Sequence, residues 1–143
     1  MQLKTHLHIA DVVHARFEDD LSEFFFKLGS VLPDILPNMR FRPHSSKSNP
    51  YLQKKINKLE IKENKRRFAL SIRLGIIAHF LSDLSCKPHM DNYTGSPMDH
   101  RKYEVNLSLF HGQYHEDLLQ SIIKTTALVA HIIENRALYR QAA

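Results

Sequence analysis

The stretch NKRRFALSIRLGIIAHFLSDLS, residues 64–85, carries the clearest helical pattern in the chain. Its apolar residues recur at steps of three and four, which is the spacing of a helix with a buried face. One such face is traced by Phe68, Ile72, Ile76, His79, Phe80 and Asp83. We therefore predict a helix over about 64–85 that carries a histidine and an aspartate among apolar side chains.

The flanking sequence also favours helices over strands, because it repeats this spacing and the chain has only four glycines. The predicted helices cover about 5–17, 19–29, 49–61, 97–110 and 113–139. Between the second and third of these, Pro33, Pro37 and Pro43 predict an irregular segment. No internal repeat or interdomain linker is evident in the sequence. It thus predicts an all-α protein in which residues 1–143 form a single compact multi-helix domain.

The composition is that of a globular protein, with 43% hydrophobic and 24% charged residues. No stretch approaches the roughly 20 apolar residues that cross a bilayer. The first residues, MQLKTHLHIADVV, do not resemble a signal peptide. Cys86 is the single cysteine, so no internal disulfide can form. Together these features predict a cytoplasmic protein.

The chain has a formal net charge of +5, and much of the excess lies in a basic segment from Lys54 to Arg67. The simplest interpretation of this segment is a solvated helix face. The alternative is a weak contact between this face and a membrane surface, with nucleic acid as the less favoured partner. Nothing in the sequence indicates an obligate protein partner.

Histidine is unusually frequent, with ten residues, and some of the histidines stand at helical spacing from acidic residues. His79 and Asp83 are four residues apart, so both project from one face of the predicted central helix. An imidazole nitrogen and a carboxylate oxygen are both zinc ligands. For this pair alone, a hydrogen bond at the edge of the helix is the better interpretation.

A second pair of residues bears on the choice between a hydrogen bond and a metal site. His100 and Glu104 repeat the four-residue spacing on the next predicted helix, and His89 lies in the loop between the two pairs. All five of these residues fall within 26 positions. A surface ion pair of Glu104 with Lys102 or Arg101 is the alternative, but the combined pattern favours a metal site.

Three further residues complete the candidate set. His6 lies on the first predicted helix, Asp34 lies in the proline-restricted stretch LPDILP, and His44 follows Pro43 directly. Taken singly, Asp34 is explained as a turn residue or helix cap and His44 as an exposed loop residue. The histidines that we interpret as non-ligands are His14, His111, His115 and His131.

The order of the candidate residues resembles that of the bacterial zinc-dependent phospholipase C family. Along the chain it runs His6, Asp34, His44, then His79-x3-Asp83-x5-His89, then His100-x3-Glu104. The related single-strand-specific zinc nucleases share the same arrangement. The resemblance covers about residues 3–107, and its specific part is the spacing from His79 to Glu104.

The resemblance implies a helical protein that holds two to three zinc ions. The implied ligands are Asp34, His44, His79 and Asp83 for one ion, His89, His100 and Glu104 for a second, and His6 with a bridging Asp83 for a third. In secreted members a processed N-terminal tryptophan completes the third site, whereas this chain has no tryptophan. Two alternatives follow: Met1 or its neighbours replace the tryptophan, or the third site is weak or empty.

The activity implied by the resemblance is hydrolysis of a phosphate ester by a metal-activated water, with Asp34 as the catalytic base. The expected substrate is a phosphodiester, foremost a phospholipid headgroup. Two alternatives are a single-strand nuclease and a zinc-binding scaffold without catalysis. Open coordination positions on the metal would favour an enzyme, and closed four-ligand sites would favour a scaffold.

Overall fold

The chain is built from α-helices joined by loops. The computed structural model describes residues 1–40, 47, 49–61, 66–90, 92–109 and 115–142. The helices are α1 (Leu3–His14), α2 (Glu23–Ile35), α3 (Pro37–Arg40), α4 (Asn49–Ile61), α5 (Arg67–Leu84), α6 (Pro97–Ser108) and α7 (His115–Ala142). A 3₁₀ segment, Lys87–His89, follows α5. Within the described ranges no residue lies in a β-strand, and the predicted all-α fold is confirmed.

The central element is α5, the helix predicted from residues 64–85. It packs most extensively against α2 and also against α7, α4 and α1. A helix surrounded in this way needs apolar side chains on most of its surface, and the run from Leu70 to Phe80 supplies them. Because the run continues into the last turns of α5, His79 and Asp83 lie in the interior, each with 0% exposure.

Two glycines allow α2 and α5 to pack with their backbones in contact. A methyl group placed on Gly75 of α5 would lie 2.8 Å from the Cα atom of Gly29 in α2 and would overlap the carbonyl oxygen of Phe26. A methyl group on Gly29 would meet the backbone of Ile72 in the same way. The close approach therefore requires glycine on both helices.

We predict that Gly75→Ala destabilises the protein although alanine is the better helix former. The helical preference favours alanine by about 1 kcal/mol, but the new methyl group overlaps backbone atoms that cannot move independently. Overpacking of this kind costs roughly 1–3 kcal/mol or more. Urea denaturation should show a net loss in the free energy of unfolding. Gly95→Ala is the matched control, because the atoms nearest to its methyl group belong to the side chain of Tyr93, which can move. Equal stability of wild type and Gly75→Ala would contradict this packing.

The second helix differs from its prediction at both ends. It spans Glu23–Ile35 and includes Pro33, so the predicted irregular segment does not begin there. Proline in a helix interior removes one hydrogen bond and costs about 3 kcal/mol. Here Pro33 lies in the last turn and is buried, so its packing offsets that cost. As a result Asp34 is a helix residue with a fixed position rather than a loop residue.

The first helix carries His6 into the interior. Its buried residues, spaced along one side, are Thr5, His6, Ile9, Ala10 and Val13. The helix begins at Leu3, earlier than predicted, and ends at His14, earlier than the predicted residue 17. The turns that follow are held by the guanidinium of Arg67, which donates to the carbonyl oxygens of Leu21, at 2.7 Å, and Glu18.

The start of α6 is fixed by a capping box. The Ser96 hydroxyl accepts from the backbone N–H of Asp99 at 3.2 Å, and the Asp99 carboxylate accepts from the backbone N–H of Ser96 at 3.0 Å. Pro97 occupies the first helical position, where its missing N–H costs nothing. The cap places His100 in the first turn and Glu104 one turn later on the same side of the helix.

The long helix α7 completes the core with the buried side chains Leu118, Ile122, Val129 and Ile132. Its Ser121 hydroxyl also donates to the backbone carbonyl oxygen of Ser82 in α5, at 3.3 Å. Neither α7 nor any other helix in the described ranges is long and apolar enough to cross a membrane.

Candidate metal centre

Side chains from α1, α2 and α5 converge in the interior as a first ligand group, made of His6, Asp34 and His79. Asp34 Oδ2 lies 4.0 Å from His6 Nε2, and Asp34 Oδ1 lies 3.7 Å from His79 Nε2. One ligand atom of each residue lies within 4.8 Å of those of the other two. The two histidines are buried, whereas Asp34 is 32% exposed. The group therefore has a buried floor and opens towards solvent at Asp34.

The tautomer of His79 is set by a backbone carbonyl. His79 Nδ1 lies 2.9 Å from the carbonyl oxygen of Ser30, which can only accept, so Nδ1 carries a proton. In the neutral ring, Nε2 then presents its lone pair towards Asp34 Oδ1 and towards Asp83 Oδ2, at 3.3 Å. A lone pair that faces two carboxylates requires a cation between them, either a proton on Nε2 or a metal ion. A backbone partner on the second ring nitrogen is common for histidines that bind metal.

His6 gives independent support for a cation at this point. Its ring stacks on that of His79 with centroids 3.9 Å apart. The side chain is 1% exposed, and neither ring nitrogen has a hydrogen-bond partner among the described residues. Such a buried group costs about 1–3 kcal/mol, and protonating both stacked rings would bring two positive charges into contact. A metal ion that binds both Nε2 atoms avoids the contact between two charged rings and satisfies one of the two nitrogens of His6.

The carboxylate of Asp83 connects this group to a second one. Its Oδ2 faces His79, while its Oδ1 lies 3.4 Å from His6 Nε2 and 3.9 Å from His89 Nε2. A fully buried carboxylate is unfavourable unless cationic or hydrogen-bonding groups surround it. Both of its oxygens face histidines of the first group, and Oδ1 also faces His89 of the second group.

The second ligand group consists of His89, His100 and Glu104. Glu104 Oε1 lies 2.9 Å from His100 Nε2 and 3.5 Å from His89 Nε2. The rings of the two histidines are perpendicular, with centroids 4.8 Å apart. The 3₁₀ segment after α5 positions His89, and the first two turns of α6 position the other two residues. His100 and Glu104 are 35% and 22% exposed, so this group also has an open edge.

The amino nitrogen of Met1 lies between the two groups, 2.7 Å from Asp83 Oδ1 and 3.1 Å from Glu104 Oε1. Burial alone would lower the pKa of this amine, but the two carboxylates raise it to about 10. Burial alone would likewise raise the pKa of Glu104. The nearby imidazole of His89 and the positive charge of Met1 outweigh burial and lower that pKa to about 2. Glu104 is therefore an ionised ligand at neutral pH.

The donor set fits zinc. Both groups offer only imidazole nitrogens and carboxylate oxygens, which zinc binds in proteins. In the part of the chain that the structure describes, each group has a partly exposed edge. The unsatisfied Nε2 of His6, which faces Asp34 and Asp83, is explained by a bound cation. We conclude that the centre has the donor chemistry of a zinc site.

Most of the predicted site residues lie together. The described ones are His6, Asp34, His79, Asp83, His89, His100 and Glu104, and all belong to the two groups or connect them. His44 lies outside the described residues. His6 lies with Asp34 and His79, and its Nε2 is also 3.4 Å from Asp83 Oδ1, the carboxylate with which the resemblance groups it. His14 and His131 bond to Leu21 and Asn135 instead.

Two contributors were absent from the predicted ligand set. The carbonyl of Ser30 orients His79, and a backbone carbonyl leaves no signal in the sequence. The nitrogen of Met1 contacts Asp83 and Glu104 as a cationic partner of the two carboxylates. The carbonyl of Ser30 and the nitrogen of Met1 are identified by their distances to other groups in the structure and not by residue type.

The fold and the centre define a class: all-helical proteins with clustered histidine and carboxylate ligands for zinc. Residues 5–141 match the family model described as zinc dependent phospholipase C. The chain belongs to the zinc-dependent phospholipase C family, and this membership makes it a zinc-dependent hydrolase by class. No curated protein and no solved structure matches the chain.

Because Asp83 faces both groups, we predict that Asp83→Asn releases more zinc than Glu104→Gln. The amide keeps the size of the side chain but loses the charge that is shared between two sets of ligands, whereas Glu104 serves only one set. Parallel elemental analysis of the two variants checks this. Glu116→Gln, on the exposed start of α7, is the control for the loss of one carboxylate charge. Equal zinc losses in the two variants would remove the bridging role of Asp83.

Proposed function

We propose that the chain hydrolyses phosphodiesters in the manner of a phospholipase C, with a phospholipid headgroup as the preferred substrate. The observation that carries the proposal is the convergence of two ligand groups through the buried carboxylate of Asp83. Membership of the zinc-dependent phospholipase C family supports the same activity. We propose that two to three zinc ions occupy the centre, held by the residues of the two groups together with His44.

The charge of the centre suits a phosphate substrate. Asp34, Asp83 and Glu104 contribute three negative charges, and the histidines bind metal as neutral rings. Two or three divalent zinc ions therefore leave a net positive centre, which attracts an anionic diester and stabilises the charge that develops on its oxygens. When bound, zinc acts as a Lewis acid and lowers the pKa of a water molecule towards neutrality.

Among the carboxylates, the structure favours Asp34 as the base. Asp83 is fully buried, whereas Asp34 is 32% exposed and stands where the first ligand group opens to solvent. Asp34 would accept a proton from the attacking water as the water oxygen bonds to phosphorus. The bond between phosphorus and the leaving oxygen then breaks, and the same proton can be returned to the departing alkoxide. The products are a phosphate monoester and an alcohol.

The buried histidines would contribute by holding their ring nitrogens in fixed directions. The carbonyl of Ser30 holds His79 with Nε2 directed towards Asp34 and Asp83, and the stack with His6 limits rotation of both rings. A ligand set fixed in this way needs no rearrangement when the substrate binds. It also leaves Asp34 as the solvent-facing member of the first group.

Hydrolysis of a soluble diester tests the proposal. The zinc-loaded chain should hydrolyse p-nitrophenyl phosphorylcholine, lose the activity when a chelator removes zinc, and regain it when zinc is restored. Phosphatidylcholine in mixed micelles and single-stranded DNA are assayed in parallel. Cleavage of DNA alone would favour the nuclease alternative. A chain that holds its zinc and hydrolyses none of the three would be a zinc-binding scaffold.

A further inference from the structure

A groove of about 400 Å³ lies between α4 and α5. Its apolar lining comes from Leu59 on α4 and from Ile72, Ile76 and Ile77 on α5. Leu59, Ile76 and Ile77 are 1%, 6% and 1% exposed, so they form the floor rather than the rim. The groove is therefore a concave apolar surface and not a flat patch.

The charged residues that line the groove are all basic. Lys55 and Lys58 contribute from α4 and Arg73 from α5, and none of the described lining residues is acidic. Lys58 and Arg73 are exposed, and the ammonium of Lys55 lies 4.9 Å from the ring centroid of Tyr51. The lining thus combines an apolar floor with three cationic side chains, which is complementary to an anionic amphiphile.

This arrangement differs from the basic face predicted over Lys54–Arg67. Arg67 bonds to carbonyl oxygens of the α1–α2 connection and does not line the groove. Arg73, which lies outside the predicted face, does line it. The helical pairing of α4 with α5, and not the sequence run alone, decides which cations act together.

The groove is also connected to the metal centre through the core. Ile76 packs in one cluster with Phe80, and the ring of Phe80 meets that of His79 edge-on, with centroids 5.3 Å apart. Ile76 precedes His79 by three residues, which is less than one helical turn. A molecule seated in the groove would therefore lie within about a turn of α5 from the first ligand group.

We propose that this groove docks the protein on a membrane by binding an anionic phospholipid. The phosphate would lie against Lys55, Lys58 and Arg73, and apolar chain atoms would lie on the isoleucine floor. Basic side chains near an anionic bilayer each add to the attraction. This inference deepens the proposed function, because it holds the chain at the surface that contains its substrate. The inference rests on the proposed function, because the bilayer contains the substrate only if the chain hydrolyses phospholipids.

Sedimentation with vesicles tests the groove separately from catalysis. The zinc-loaded chain is mixed on ice with vesicles of phosphatidylcholine alone or with added phosphatidylglycerol. We expect wild type to bind the anionic vesicles at least about tenfold more strongly. The double variant Lys58→Glu with Arg73→Glu should lose at least about tenfold of that binding. Both side chains are exposed, so the fold should persist, and thermal melting followed by circular dichroism verifies this.

The matched control is Arg101→Glu with Lys102→Glu on α6. It makes the same change in net charge at another exposed site, which also carries the exposed apolar side chains of Met98 and Val105. Binding should fall less than about threefold in the control. Equal losses in the two double variants, or equal binding of wild type to both kinds of vesicle, would overturn the groove as the docking site. The groove would also be excluded as the membrane-docking site if the double variant Lys58→Glu with Arg73→Glu lost binding to a single-stranded oligonucleotide but kept its binding to vesicles.

Hydrolysis of p-nitrophenyl phosphorylcholine is measured on the same samples and should be unchanged in both double variants. If wild type binds anionic vesicles through the groove but does not hydrolyse the soluble ester, the proposed function fails and the docking site stands. If hydrolysis is present but vesicle binding does not depend on Lys58 and Arg73, the docking site fails and the proposed function stands.

Discussion

Asp34→Asn is expected to lower kcat for p-nitrophenyl phosphorylcholine by roughly 10²–10⁴, the range found for loss of a general base. The amide has nearly the same size as the carboxylate and keeps one oxygen that can contact a metal ion. It lacks the basicity needed to accept a proton from water. Zinc content should therefore fall only modestly while turnover falls strongly.

Asp20→Asn provides the control for this variant, because Asp20 is an exposed aspartate outside the two ligand groups. It should change neither zinc content nor kcat. If Asp34→Asn instead loses zinc and activity in the same proportion, Asp34 is chiefly a metal ligand. Retention of full activity would remove Asp34 from the mechanism.

His79→Ala is expected to remove zinc and activity together. The Nε2 atom of His79 faces both Asp34 and Asp83, and the alanine side chain offers no atom that can bind a metal ion. The variant should lose about one zinc ion per chain, and kcat should fall at least as far as in Asp34→Asn. Elemental analysis and the soluble ester assay check the two parts.

The histidine control is His131→Ala, because His131 is exposed on α7 and bonds to Asn135. It should keep both zinc and activity. Circular dichroism distinguishes loss of metal from loss of the fold, since a buried ring replaced by a methyl group also leaves a cavity. A folded His79→Ala variant that keeps its full zinc content would exclude His79 as a ligand.

Helical periodicity was sufficient to predict the ligand pairs. Residues four apart on a helix must project to the same side, so the proximity of His79 to Asp83 and of His100 to Glu104 follows from local geometry alone. The all-α fold was likewise predictable from apolar spacing and scarce glycine. These features depend on neighbours in sequence and on no tertiary contact.

The parts that depend on tertiary contacts were not predictable in the same way. The α2 helix continues through Pro33 because that proline is buried in the final packing. The approach of Gly29 to Gly75 and the orientation of His79 by Ser30 join residues 46 and 49 positions apart. No periodic pattern specifies which residue will lie opposite which across a helix interface.

The basic segment also shows the difference between what a local pattern predicts and what depends on tertiary contacts. A run of lysines and arginines predicted a cationic surface, but the sequence could not show that Arg67 bonds to backbone carbonyls while Arg73 lines the groove with Lys55 and Lys58. The assignment of His6 to the first ligand group also required the packing of α1 against α5.

Zinc content per chain is the most direct test of the multinuclear centre. The protein is purified with supplemented zinc and without chelators, dialysed, and analysed for zinc against protein concentration. Two ligand groups joined by a shared carboxylate predict two to three tightly held zinc ions per chain. One ion or none would contradict the multinuclear centre.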